Sequence, residues 1–168
     1  MNAEEVKRLL HLQPHPREGG WFVRTYESGE SVPAAVLGGG YRSDRRIATA
    51  IYYLLEEGTF SEMHRLRSDE MFHFYAGDAI EMLHLLPTGE GRRVVLGTDI
   101  VAGQRPQALV EKGVWQGARL VEGGSWALLG CTVSPGFEYE DYESGGREVL
   151  LEGWPGFKGD ILALTRKS

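Results

Sequence analysis

The chain has 168 residues, of which 42% are apolar and 25% charged, so it is long enough for one domain with a sizeable core, and its composition excludes wholesale disorder. Its formal net charge of −6 argues against a nucleic-acid-binding face, and no apolar run approaches the roughly 18 residues that span a bilayer. The single cysteine, Cys131, excludes an internal disulfide framework and a Cys-based zinc site. Because the first residues lack the basic start and apolar stretch of a secretory signal, we expect a cytoplasmic protein that binds neither nucleic acid nor membrane.

The first predicted element is a helix over about residues 3–12. Asn2 can cap this helix, and Glu5, three positions later, completes a capping-box pair. Apolar residues from Val6 onward follow at helical spacing, and Pro14 ends the pattern. We therefore expect one short amphipathic helix before the main body of the fold.

Strand signals dominate the rest of the chain, with a long loop predicted over residues 28–46. The predicted strands cover residues 21–26, 47–55, 59–66, 70–76, 79–86, 92–96, 113–120 and 126–133. Glycine accounts for 23 residues, about twice the usual share of roughly 7%, and many of these glycines lie between the strands. Since no helices alternate with the strands, the pattern predicts a single all-β domain with its barrel at about residues 20–140. A C-terminal tail follows at about 141–168, with a short helix around 160–166.

A polar constellation lies within the predicted hairpin that runs from Gly58 to Gly77. Strand alternation places His64 and Leu66 on one face, and Glu70 begins the next strand, where its side chain can share the interior with His64. A histidine and a carboxylate inside an apolar barrel have perturbed pKa values, which is typical of functional sites. The alternative is a satisfied polar pair that only holds the hairpin together.

This hairpin resembles the first cupin motif, G-x5-H-x-H-x3/4-E-x6-G. The chain matches that motif at four positions: Gly58, His64, Glu70 and Gly77. The motif's second histidine is replaced by Leu66. The second cupin motif, with its Pro-x-Gly-x-x-His core, resembles residues 111–116, where the glycine is kept, the proline is absent and Gln116 stands in place of the histidine.

Over nearly its whole length the chain resembles stand-alone cupins of unassigned function. The resemblance implies a double-stranded β-helix, a jelly-roll-like barrel, usually a homodimer with a small-molecule pocket in the mouth of the barrel. It supplies no reaction. The pocket is expected to contain a set of polar and aromatic side chains in addition to His64 and Glu70: Arg24, Tyr52, Phe72, Phe74 and Gln116. Strand parity does not choose between Tyr52 and Tyr53, and the loop that carries His15 and Arg17 closes on the barrel, closes on a partner subunit or merely turns the chain.

The resemblance also raises the question of a metal. A typical metal cupin holds iron, manganese, nickel or zinc through three histidines and one glutamate, and of these only His64 and Glu70 have counterparts here. Leu66 has no ligating atom and Gln116 is a poor ligand for transition metals. We therefore expect no resident cofactor, with at most a weak or adventitious divalent metal at His64, Glu70 and Gln116.

Three functions compete at this point, so whether the protein is an enzyme stays open. The first is a metal-independent isomerase or epimerase of a sugar-like or other small polar metabolite, with His64 as the catalytic base, oriented by Glu70 or Asp69, and a tyrosine as the acid. The second is a non-catalytic module that binds a small ligand between aromatic walls. The third, a metal-dependent dioxygenase, needs histidines that the chain lacks.

Overall fold

The computed structural model describes residues 1–166. The strands, in chain order, are β1 (Gln13–Pro14), β2 (Trp21–Glu27), β3 (Ser31–Val32), β4 (Arg45–Arg46), β5 (Thr49–Glu56), β6 (Phe60–Arg65), β7 (Asp69–Gly77), β8 (Ile80–Leu85), β9 (Gly91–Leu96), β10 (Gln107–Val110), β11 (Trp115–Leu120), β12 (Trp126–Ser134) and β13 (Glu143–Ser144). The helices are α1 (Ala3–Leu10), α2 (Ala34–Leu37), α3 (Arg147–Gly153) and α4 (Lys158–Ala163), with short 3-10 turns at Tyr139–Asp141 and Pro155–Phe157. Within these residues, no helix has the length and apolar character needed to cross a membrane.

Two antiparallel sheets form the barrel. The larger sheet has the order β1-β2-β5-β12-β7-β10, and the smaller has the order β13-β6-β11-β8-β9. Side chains alternate between the two faces of each strand, so the inward residues of both sheets meet in one core that includes Tyr53, Phe72, Met82 and Leu129. This architecture confirms the predicted all-β cupin fold with its N-terminal helix.

Helix α1 forms as predicted from the capping box. The backbone N–H of Glu5 donates to the Asn2 side chain, and the Asn2 N–H donates to the Glu5 carboxylate, each over 2.9 Å. The helix ends at Leu10, earlier than predicted, because His11 adopts a left-handed φ of 55°. The buried side chain of Val6 packs with Leu54 on the outer face of the larger sheet.

Two parts of the sequence-based description need correction. Strand β10 was not predicted, and it pairs with β7 at the edge of the larger sheet. The predicted loop over 28–46 contains the small β3–β4 pair and α2. The tail carries two helices, α3 and, close to the predicted short helix, α4; both cover the outer face of the smaller sheet, with Leu150 and Ile161 packed against Met63 and Trp115. Residues 167–168 of that tail lie outside the described residues.

Candidate active site

A cavity opens between the sheets at one end of the barrel, and its empty space is about 470 Å³ with the open mouth included. Its lining combines two histidines, two glutamates and an arginine with mostly apolar side chains: His15, Glu18, Phe22, Arg24, Thr49, Ile51, His64, Leu66, Glu70, Cys131, Val133, Phe137 and Tyr139. The polar groups thus face one another inside an apolar wall, which is the usual construction of a small-molecule site.

His64 enters the cavity from β6, and only 1% of its surface is exposed. Its Nδ1 lies 2.7 Å from the backbone carbonyl oxygen of Glu62. Since a carbonyl oxygen only accepts, Nδ1 carries the proton of the neutral ring, and Nε2 is left with a free lone pair. Tyr142 stacks on the imidazole at 4.9 Å and 16°, and its O–H donates to the Glu62 carboxylate over 3.0 Å. The ring of His64 is therefore held in one orientation and one tautomer.

The loop between β1 and β2 (residues 15–20) brings two further polar groups into the cavity. His15 Nδ1 accepts the backbone N–H of Glu18 over 2.9 Å, and its Nε2 lies 3.8 Å from Glu18 Oε2. The same Glu18 Oε2 lies 4.0 Å from Nε2 of His64, and Glu18 Oε1 accepts the hydroxyl proton of Ser61. One carboxylate thus stands between the two imidazole rings.

Two glycines allow this loop to lie so close to the barrel. Gly19 and Gly20 have φ angles of 101° and 69°, a region that side chains rarely adopt. A Cβ at Gly19 would lie 2.4 Å from the backbone oxygen of Phe60. The hydroxyl of Tyr53, a residue of the barrel core, donates to the Gly19 carbonyl over 2.8 Å, and this hydrogen bond holds the loop against the barrel.

Glu70, at the start of β7, is the second buried carboxyl of the site, with 7% of its surface exposed. Gln116 Nε2 donates to Glu70 Oε2 over 2.8 Å. Burial, followed by the nearby Glu18 carboxylate, raises the pKa of Glu70 to about 7, while His64 and Gln116 act in the opposite direction. Burial also raises the pKa of the Cys131 thiol well above its ordinary value, so this cysteine is a protonated thiol and a poor nucleophile.

Four of the residues singled out in the sequence come together here. His64, Glu70 and Arg24 line the cavity, and Gln116 lies directly behind Glu70. Gln116 on β11 is in register with His64 on β6, which is why the two cupin motifs meet at one point of the barrel. The Arg24 guanidinium donates to the Glu27 carboxylate over 2.7 Å, so its positive charge is paired with Glu27.

The aromatic residues predicted for the pocket lie elsewhere. Phe72 is buried in the barrel core, and Phe74 packs against that core from a half-buried position. Tyr52 must be corrected, because it lies on the outer face of β5 and meets Tyr75 edge to face at 6.0 Å. Tyr53 is the inward neighbour, 1% exposed, since successive residues of a strand point to opposite faces.

Sequence reasoning did not single out Glu18. The loop that carries His15 had three possible readings, and the structure shows that it closes on the barrel. The signal for this in the sequence was the Gly19-Gly20 pair, because glycine allows the backbone to approach another part of the fold closely. Tyr139, which lies against His15 at 6.3 Å, was not predicted either.

The residues of this site do not fit the metal centre of a typical cupin. A transition metal needs an unprotonated nitrogen or a carboxylate, and His15 uses Nδ1 to accept a backbone N–H, so Nε2 of its neutral ring carries the proton. Leu66 offers no ligand, and Gln116 turns its NH2 group towards Glu70. Within residues 1–166, no group of three or more His, Cys, Asp or Glu side chains is arranged to hold a metal ion. The absence of a resident metal stays a prediction.

Comparisons with known proteins identify the family and the fold of the chain. Residues 4–145 match the family described as Cupin superfamily (DUF985). The solved structure of protein SO0799 from Shewanella oneidensis is 35% identical, with 100% of this chain and 99% of that chain covered and a TM-score of 0.88. A hypothetical protein from Leishmania major is 30% identical, with 99% and 100% covered and a TM-score of 0.89. The uncharacterised protein YML079W of Saccharomyces cerevisiae is 28% identical over 135 residues, which are 75% of this chain and 67% of that protein.

A more distant likeness extends to an enzyme. An oxalate decarboxylase of Bacillus subtilis superposes on 94% of this chain with a TM-score of 0.53, but the identity is 14% and only 38% of that chain is covered. At this distance the likeness concerns the barrel fold and says nothing about the reaction.

Proposed function

This chain belongs to the cupin superfamily, in the family described as DUF985, and we propose that it is a metal-independent enzyme that transfers a proton on a small, polar carbonyl metabolite, as an isomerase or an epimerase. The observation that carries the proposal is the orientation of His64. Its Nδ1–H is bonded to a backbone carbonyl, which leaves the lone pair of Nε2 inside a sheltered cavity. A ring nitrogen with a free lone pair can accept a proton from a bound substrate.

The surroundings of His64 support this role. When the imidazole takes up a proton it becomes a cation, and the carboxylate of Glu18, 4.0 Å away, stabilises that charge. The stacked ring of Tyr142 prevents the imidazole from turning away from its position. Apolar side chains such as Ile51 and Phe137 line the cavity beside these groups, and an apolar surrounding strengthens the attraction between the Glu18 carboxylate and the imidazolium.

The experiment is exchange of substrate protons with solvent. Wild-type protein and a His64→Asn variant are incubated in D2O with a panel of small aldoses and ketoses, and loss of the proton next to the carbonyl is followed by ¹H NMR. The asparagine amide can still donate to the Glu62 carbonyl, but it is not a base. We expect exchange of at least one panel member by the wild type and a decrease of about 10²- to 10⁴-fold in the variant.

His11→Asn is the matched control for this experiment. His11 is exposed at the end of α1 with a φ of 55°, a conformation that asparagine also tolerates, and it is remote from the cavity lining. This variant should exchange protons at the wild-type rate. If the wild type exchanges no proton of any panel member, the proposed activity is wrong.

A second candidate, a small-ligand-binding module without catalysis, is favoured by the predominantly apolar wall of the cavity. Phe22, Phe137 and Tyr139 surround a small number of polar groups, as in binding sites generally. A thermal-shift screen of metabolites distinguishes the two functions, because a ligand that raises Tm and is recovered unchanged supports the module and contradicts the enzyme.

The homodimer and the cytoplasmic location expected from the sequence are part of this proposal. The outer edge of β2 supports a dimer, because among residues 1–166 only β1 pairs with that edge, at Trp21 and Phe22, and the rest of the edge is open. Light scattering at micromolar concentration should give twice the mass of the chain, and the mass of a monomer would contradict the dimer.

A further inference from the structure

We propose that His15 is the electrophile of the site: its Nε2–H hydrogen-bonds the carbonyl oxygen of an α-hydroxy aldehyde or ketone while His64 removes the proton from the neighbouring carbon. The inference rests on the proposed function and deepens it, since it assigns a role to a residue outside both cupin motifs and names the class of substrate. Its basis is the opposite hydrogen bonding of the two histidines that face the cavity.

The tautomer of His15 follows from its backbone contacts. Nδ1 accepts the N–H of Glu18 at 2.9 Å and, at a longer 3.4 Å, that of Arg17. Because a nitrogen that accepts carries no hydrogen, the proton of the neutral ring is on Nε2. His64 has the reverse arrangement, with its proton on Nδ1 and its lone pair on Nε2. One imidazole therefore offers a donor to the cavity and the other offers a base.

The environment keeps His15 neutral and fixes its plane. Burial lowers the pKa of His15 below its ordinary 6.5, and the opposing effect of Glu18 does not cancel this. Phe22 packs on the ring at 4.8 Å, and Tyr139 approaches it at 6.3 Å. A neutral, preoriented imidazole N–H can polarise a carbonyl without transferring its proton, as in other enolising enzymes.

The two nitrogens face the same cavity and lie near one carboxylate oxygen. Each Nε2 lies within 4.0 Å of Glu18 Oε2, so the two nitrogens are at most about 8 Å apart. Glu18 Oε2 lies between them, so a carbonyl oxygen and its α-carbon, which are two bonds apart, must reach the two nitrogens from the open side of the cavity.

The step balances without a co-reactant. The C–H bond at the α-carbon breaks and its proton moves to Nε2 of His64. The electron pair of that bond forms the C=C bond of an enediolate, and the π pair of the carbonyl moves to oxygen, where the His15 N–H stabilises the negative charge. His64 then returns the proton to the former carbonyl carbon, while the proton of the α-hydroxyl moves to the former carbonyl oxygen, so that the carbonyl group shifts by one carbon and His15 keeps its own proton throughout.

The first test measures the tautomers and does not depend on turnover. In a long-range ¹H–¹⁵N correlation spectrum of the uniformly labelled chain at pH 7, we expect His15 as the Nε2–H form and His64 as the Nδ1–H form. The signals are assigned with His15→Asn and His64→Asn. A His15 ring that is protonated at Nδ1, or at both nitrogens, overturns the inference whatever the activity of the protein.

The second test uses the exchange assay with the same panel of aldoses and ketoses. In His15→Asn the Oδ1 atom can still accept the Glu18 N–H, so the turn is kept and only the donor to the cavity is lost. We expect kcat for exchange to fall about 10²- to 10³-fold, with a much smaller change in KM, because an enediolate is stabilised more than the ground state. Exchange by His15→Asn at the wild-type rate overturns the role of His15 and leaves the proposed function standing. Absence of exchange by the wild type overturns the proposed function and, with it, the substrate class assigned here.

Discussion

The motif hairpin, from Gly58 to Gly77, and the N-terminal loop at residues 15–20 each bring one histidine to the cavity, but they hold it differently. His64 lies on a strand that pairs with neighbours on both sides, β11 and β13. His15 lies on irregular chain, and its place depends on contacts with residues that are distant in sequence, such as the bond from Tyr53 to the Gly19 carbonyl. His64, the proposed base, is thus part of a sheet, whereas His15, the proposed donor, lies on a loop that packs against the barrel.

Glycine substitutions should show the largest difference in the free energy of unfolding between the two regions. Gly19→Ala should lower the free energy of unfolding by about 3 to 4 kcal/mol, because the left-handed φ is strained and the new Cβ would lie 2.4 Å from the Phe60 carbonyl oxygen. Gly58→Ala in the hairpin should cost only about 1 to 2 kcal/mol, since its φ is 80° but its Cβ would meet nothing within 4 Å. Urea denaturation measures both values.

Gly29→Ala is the control for this pair, because its φ is not left-handed and a Cβ there meets nothing within 4 Å. It should be neutral or slightly stabilising. Equal losses at Gly19 and Gly58 would show that the loop does not press against the barrel as described.

In the hairpin, the buried carboxyl of Glu70 makes the free energy of unfolding depend on pH. Its pKa is about 7 in the fold and near 4.5 in the unfolded chain, so the folded state retains a proton that the unfolded state loses as the pH rises. Its contribution to stability is therefore complete below about pH 4.5 and is lost by about pH 7, with a total loss of at most about 3 kcal/mol. Glu70→Gln keeps the acceptor for Gln116 and removes the titration, so it should be more stable than the wild type at pH 8 and similar at pH 4.5.

Thermal or urea unfolding between pH 4.5 and 8 measures this difference. Glu111→Gln, an exposed glutamate on the loop before β11, is the control and should follow the wild-type curve. A wild-type slope in Glu70→Gln would contradict the assignment of the pH dependence to Glu70.

The smallest expected effect concerns the bond that joins the two regions. Ser61, 1% exposed on β6, donates to Glu18 of the loop. Ser61→Ala should lower the free energy of unfolding by about 1.5 to 2 kcal/mol, as expected for a hydrogen bond to a charged group. A double-mutant cycle with Glu18→Gln measures the coupling, and the exposed Ser125→Ala should have no effect. Additive losses in the cycle would contradict the contact.

The hairpin could be predicted because its information is local. Strand alternation placed His64 and Glu70 on interior faces, and the spacing between Gly58 and Gly77 carried the resemblance to the cupin motif. The same alternation left Tyr52 and Tyr53 unresolved, since parity says that the two tyrosines point in opposite directions but not which of them points inward. Only the packing of α1 on the outer face of β5 decides that question.

The sequence by itself determined the all-β class, the capped N-terminal helix and the inward placement of His64 and Glu70, since periodicity, capping and turn glycines act within a few residues. Only the tertiary structure decided that the tail covers the smaller sheet, that β10 completes the larger one and that Glu18 stands between two histidines. Those arrangements depend on apolar burial and hydrogen bonds between segments far apart in the chain, as in the 43 positions from Glu18 to Ser61. No local sequence pattern encodes how close such segments lie in the fold. The chemistry of the cavity depends on that distance.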